Sequence, residues 1–269
     1  MADRDARGPS RIPRGPAVLA AQATLIAAFL ALWALLSSLQ VGGPDALSHP
    51  VAVAGALATA LSTAEGWAPV VQTLASWSQG LAISIVVGVS VGALLGLSRF
   101  TYRSTRGLFD FARAVPPVAL LPMGVFLIGT NRDLTVTMII WTCMWPIVLQ
   151  TMYGVRDVDH VAREAARTMR LSGVQTALWL IGPSALPYIM TGIRISAVMS
   201  LVMAIGTELI VGLPGIGYAL YYAQYSGAIT QMYAYVVVAA LVGAAITFVF
   251  TRLERRALRW HPSHRKAAA

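Results

Sequence analysis

The sequence has a single lysine, Lys266, and a single cysteine, Cys143. A P-loop needs a lysine directly after its glycines to reach the phosphates, so the chain is not its own nucleotide-driven motor of that type. One cysteine excludes an internal disulfide, and Cys143, set inside an apolar run, reads as a small core residue. Charge is also scarce. Asp, Glu, Lys and Arg make up 12% of the 269 residues, against about 25% in an ordinary soluble domain. The four histidines, His49, His160, His261 and His264, lack metal-ligand spacing, and the HPSH stretch at 261–264 reads as a tail. No nucleophile with a base is gathered in the apolar runs, which excludes an intramembrane enzyme. The formal charge of +9 does not indicate nucleic acid, because the basic residues are scattered between apolar runs instead of gathered on one face.

What remains is apolar. Hydrophobic residues make up 57% of the chain and the mean hydropathy is +0.68. One hydrocarbon crossing needs about 20 mainly apolar residues, and charge-free stretches place six helices near 17–39, 73–97, 107–128, 134–153, 186–210 and 232–252. The first apolar run is too long for a signal peptide and no clear cleavage site follows it, so it is kept as a span. The predicted fold class is an all-α integral membrane protein. It divides into a basic tail at 1–16, a first helix with an external segment at 17–68, a core at 69–256 and a basic tail at 257–269.

Eighteen of the twenty basic residues fall in the N-terminal tail, the loop after the second helix with the start of the third, the loop after the fourth, and the C-terminal end. Only Arg132 lies in an opposite-side loop and Arg194 within a span. Cytoplasmic loops are enriched in Lys and Arg, so both termini are expected in the cytoplasm.

The loop after the fourth helix carries EAARTMRLSG, Glu164 to Gly173. Val158, Val161, Ala165 and Met169 recur at spacings of three and four, and Arg163, Arg167 and Arg170 occupy another face. This predicts a short amphipathic helix with Asp159 as its N-cap. Ser172 and Gln175 have the spacing of a capping box, so a second helix is expected to start there. Pro183 and Pro187 are expected to end that helix and start the fifth span. By periodicity alone the segment is equally a surface helix at acidic headgroups.

Gly80, Ser84, Gly88, Gly92 and Gly96 repeat every four residues and predict close helix packing. Pro116, Pro117, Pro122 and Pro146 predict kinks, which either line a pathway or only shape their helices. Ionisable groups at membrane depth are costly. Glu208 is therefore a candidate for the pathway or gate, with a hydrogen-bonded structural Glu as the alternative. Arg194 reads as snorkelling to the headgroups, and Asp110 and Arg113 as an i, i+3 pair. Residues 51–67 suggest an interfacial helix. Tyr218, Tyr221, Tyr222 and Tyr225 read as an aromatic belt or a docking surface.

From Arg113 to Trp260 the chain resembles the permease subunits of ATP-binding-cassette importers, in particular those for sulfonates, taurine and nitrate. The resemblance rests on RAVPPVALLPMGVFLIG, GVRDVDHVAREAARTM, GPSALPYIMTGIRIS, GTELIVGLPGIGYAL and FTRLERRALRW. It implies a coupling helix between helices 4 and 5 that fits a groove on a cytoplasmic ATPase, through Asp159, Arg163, Glu164, Ala165, Ala166, Arg167, Met169, Arg170 and Gly173. The family pattern places Gly three residues after Glu-Ala-Ala; here Arg170 stands there. The turn is accordingly expected to have moved to Ser172 and Gly173, with Arg170 facing an acid on the ATPase.

The resemblance further implies a translocation pathway or gate drawn from Glu208, Met203, Pro117 and Pro122, a bacterial cytoplasmic membrane location, and no cofactor on this chain. Its implied partners are two P-loop ATPase subunits carrying ATP and Mg, a second copy of itself and an external substrate-binding protein. The expected cargo is a small organic anion such as a sulfonate, or nitrate. A stand-alone secondary transporter or channel is the alternative. It predicts inverted repeats with charges near the midplane, and no convincing repeat is found.

Overall fold

A computed structural model describes residues 16–43 and 46–259, so 1–15 and 260–269 of the two basic tails, with His261, His264 and Lys266, lie outside the described residues. The described residues carry eleven α-helices. They are α1 (Pro16–Ser38), α2 (Pro50–Ser62), α3 (Ala64–Leu97), α4 (Arg99–Ala114), α5 (Leu121–Ile128), α6 (Arg132–Arg156), α7 (His160–Thr168), α8 (Gly173–Thr176), α9 (Gly182–Val211), α10 (Ile216–Tyr225) and α11 (Ile229–Ala257). Five stretches are long and apolar enough to cross a membrane, and a sixth is a bent pair.

The core is α6 packed between α3 and α9. Apolar burial gives little drive between helices in lipid, so contact depends on close approach. The four-residue ridge of α3 supplies it. A methyl added at Gly80 would lie 2.5 Å from Ile139 Cγ2, and at Gly96 2.6 Å from Val155 Cβ; at Gly92 it would meet the Val148 carbonyl oxygen at 2.6 Å. Across the other face of α6, Ser196 Oγ donates to the Cys143 carbonyl at 2.9 Å and the Cys143 thiol to the Ser196 carbonyl at 3.3 Å. Cys143 is fully buried. Trp77 Nε1 donates to the Ala197 carbonyl at 2.9 Å, closing the third side between α3 and α9.

Three predicted spans differ from the structure. Residues 107–128 do not form one kinked helix, because Gly107–Ala114 and Pro117–Ile128 meet at 82°. Pro116 and Pro117 follow one another, and the residue before a proline is pushed out of the helical region; Val115 and Pro116 are extended accordingly, at ψ 119° and 123°. The fifth span begins earlier than predicted. Pro183 and Pro187 do not end the helix that starts after Ser172, and Gly173–Val211 is continuous. A π turn at Ala177–Ile181 accommodates Pro183: the Gly182 N–H reaches back five residues to the Ala177 carbonyl, widening the turn just where Pro183 offers no N–H.

Residues 51–67 do not form one helix: 51–62 lie in α2, the chain breaks at Thr63, and the Thr63 hydroxyl accepts from the Gly66 amide to start α3 nine residues earlier than predicted. Arg194 is not a lone snorkelling cation. Its Nε lies 3.3 Å from Glu254 and ties α9 to α11. Asp110 and Arg113 pair at 3.0 Å as their spacing predicts.

Candidate functional site

The segment carrying EAARTMRLSG sits at one end of the bundle, where α6 finishes. Asp159 caps α7 by accepting from the Val161 amide at 2.9 Å. Arg163 donates to the Val155 carbonyl at the last turn of α6, where a cation also meets the negative end of the helix dipole. Val158 and Ala166 are buried, the former with Val155, Ile181 and Ala185. Asp157 accepts a 2.6 Å hydrogen bond from the Tyr188 hydroxyl, linking the end of α6 to α9. Arg163 thus ties α7 to the last turn of α6, and Asp157 ties the end of α6 to α9.

The turn after α7 stays at Arg170. Its φ is +55°, the left-handed region that glycine occupies most readily, whereas Gly173 simply opens α8. The expected shift of the turn to Ser172 and Gly173 therefore does not occur. The capping box is present: Gln175 N donates to Ser172 Oγ at 3.2 Å and Ser172 N to Gln175 Oε1 at 2.8 Å.

With Ala166 inward, Val161, Glu164, Ala165, Arg167, Met169 and Arg170 face out. Val161 is 70% exposed and Met169 72%, and Val174, Leu178 and Trp179 of the following turns are exposed as well. An apolar stripe on a short, tightly held helix is a surface that needs covering.

Glu208 lies toward the opposite end of the bundle, near the end of α9, 1% exposed. Its Oε2 accepts from the Gly217 amide at 3.0 Å and from Thr73 Oγ1 at 2.8 Å, and Thr73 Oγ1 accepts in turn from the Ile216 amide at 2.9 Å. The carboxylate thus caps the N-terminus of α10. Gly215 makes room for it: at φ +156°, a methyl there would lie 2.2 Å from the Glu208 carboxyl carbon.

The structure separates the four predicted pathway residues. Met203 is buried in the core with Leu121, Met138 and Ile139, because it sits on the α6-facing side of α9. Pro122 is exposed in the first turn of α5. Pro117 does line a cavity of about 630 Å³, together with Trp141, Trp145, Pro146 and Met199, beside the α4–α5 bend. The Trp141 and Trp145 indole N–H groups are buried without a partner among the described residues, and their rings pack edge-on at 5.3 Å. Sequence reading missed these tryptophans, as well as Thr73, Asp157 and Tyr188. The only signal for the tryptophans was their four-residue spacing just before Pro146.

Residues 84–259 match the model of the family described as binding-protein-dependent transport system inner membrane component. The chain belongs to that family. This permease is 32% identical to the bicarbonate transport system permease protein CmpB of Synechococcus elongatus over 70% of this chain and 69% of that protein. It is 27% identical to the taurine transport system permease protein TauC of Escherichia coli K12 over 88% of each chain. Its fold matches a solved structure of the MetNI methionine ABC transporter, in an inward-facing form, with TM-score 0.63 and 22% identity over 70% of this chain and 94% of that one. The permease is thus a multi-pass inner-membrane component of an ABC transport system.

Proposed function

We propose that this permease carries a small oxyanion, organic or inorganic, into the cell, driven by ATP hydrolysis on two cytoplasmic P-loop ATPase subunits that dock on α7. Three relatives point to the substrate class by name, as permeases for bicarbonate, nitrate and taurine. The basic residues of the loop after α6 support a cytoplasmic position for α7. ATP and Mg bind the partner, an external binding protein delivers the solute, and a second copy of the chain completes the pore. The outward face of α7, with Glu164, Ala165, Arg167 and Met169, makes the contact, Arg170 meeting an acid on the ATPase. Closure of the ATPases pushes α7, its link to α6 passes the motion to the core, and the Asp157–Tyr188 bond carries it on to α9. Pro117, Trp141 and Trp145 line the inner part of the path, and Glu208 acts at the outer gate by holding α10 in place.

The observation that carries this reading is the exposed apolar stripe on a helix tied to the end of α6. Its test is recovery of the ATPase with the tagged chain from native membranes in mild detergent. Ala165→Asp, which puts a charge in the centre of the stripe without touching the buried face, is expected to lower that recovery by about tenfold, equivalent to about 1.4 kcal/mol of binding. Unchanged recovery would make α7 a headgroup-lying helix instead.

A further inference from the structure

At the end of the bundle opposite α7 lies a second cavity, of about 480 Å³, between α3, the start of α6 and the loop from α9 to α10. Its wall includes Gln72, Ser76, Thr130, Arg132, Thr135 and Leu213. Two features set it apart. Arg132, the one cation that charge mapping puts in an opposite-side loop, has no ion pair or hydrogen bond from its side chain among the described residues, although Asp133 is its neighbour in sequence. Thr135 is 2% exposed, yet its hydroxyl has no hydrogen-bond partner within the described chain, although a helical threonine ordinarily bonds the carbonyl one turn back. The hydroxyl oxygen itself is not sealed off, and Thr135 lies on the wall of a cavity whose rim is a free guanidinium. Gln72, one turn from Ser76 on α3, adds an amide with no partner of its own.

Other polar groups nearby are already engaged. Asn131 caps α6, accepting from the Leu134 amide at 3.2 Å while its own amide donates to the Ile128 carbonyl at 3.1 Å. Ser76 donates to the Gln72 carbonyl at 3.3 Å. The donors on the wall without a partner among the described residues are the Arg132 guanidinium, the Thr130 and Thr135 hydroxyls and the Gln72 amide, beside the positive end of the 25-residue helix α6. No carboxylate lines the wall. A guanidinium fork with one hydroxyl and one amide suits the planar or tetrahedral oxygens of a carbonate, nitrate or sulfonate group.

We propose that this cavity is an outer-mouth subsite that receives the oxyanion group of the solute before it enters the path, with Arg132, Thr135 and Gln72 as its ligands; the assignment rests on the importer reading for which end faces out. The cavity adjoins the gate, since Leu213 and Pro214 of its wall connect Glu208 to the α10 turn. An anion held there lies against the loop whose position Glu208 fixes.

The test uses the full chain with a reporter thiol at Thr130→Cys. Cys143 is fully buried, so it adds no background. Labelling by a membrane-impermeant maleimide is followed in nitrate, bicarbonate or taurine against chloride at matched ionic strength, which holds screening constant. Protection of about threefold or more by at least one oxyanion is expected, lost in Arg132→Gln and Thr135→Val and partly kept in Arg132→Lys. Asp133→Asn, outside the cavity wall, is expected to leave protection in place. Equal labelling in all four anions, or protection that persists in Arg132→Gln, would overturn the subsite. If Thr130→Cys does not yield folded protein, Ala75→Cys on the opposite wall serves as the reporter. ATP-driven uptake by the same preparation tests the importer reading separately: protection without uptake keeps the subsite and removes the importer, and uptake without protection does the reverse.

Discussion

Glu208 and Gly215 show how a costly buried acid is kept by its surroundings. The carboxylate takes an amide of α10 and a hydroxyl of α3, and the glycine leaves it the space. Adding a methyl at Gly215 combines overpacking with a positive φ, so Gly215→Ala is expected to destabilise the fold by about 2 kcal/mol, read as a lower melting temperature in detergent. Because the two residues share one space, Glu208→Ala with Gly215→Ala should cost clearly less than the sum of the single changes; additive losses would show that the clash is absent. Composition and spacing marked Glu208 as exceptional. They could not show which of its two readings holds, because Thr73 is 135 positions away along the chain. Arg170 is a similar case: the residue type suggested that the turn had moved, but the backbone keeps its left-handed geometry and accepts a side chain there.

Among the elements, those governed by local rules were legible. The Asp159 cap, the Ser172 capping box and the α3 glycine ridge all follow from neighbours within four residues. The 82° bend and the π turn were not, since a proline signals a fault in a helix without stating whether it becomes a kink, a break or a widened turn. The coupling element adds a prediction of its own. Tyr188 to Asp157 is the hydrogen bond between the end of α6 and α9, and Tyr188→Phe removes it while leaving the outer face of α7 unchanged. ATPase recovery is expected to stay normal while ATP-driven uptake falls by a few-fold, consistent with a net hydrogen bond to a charged group of about 1.5–3 kcal/mol shared between states. A parallel fall in both would mean that the bond shapes the docking face instead of transmitting its motion.

At the scale of the whole molecule, the apolar composition and long apolar runs made the membrane class legible, while the cavities, which need α3, α6 and α9 together, were not; the distribution of basic residues adds a predicted sidedness. The sidedness is testable on variants with one added cysteine because Cys143 is fully buried. Ala165→Cys is expected to react with an impermeant maleimide only in inside-out vesicles, and Thr130→Cys only in intact cells stripped of their outer layers; the opposite pattern would invert the assignment. The measurement that bears most directly on the account is uptake by proteoliposomes holding the permease, its co-purified ATPase and the binding protein, with nitrate, bicarbonate and taurine as probes. The account predicts accumulation of at least one of them that requires ATP on the α7 side and disappears in Ala165→Asp. Accumulation by the permease alone under an ion gradient, indifferent to ATP and to that substitution, would contradict it.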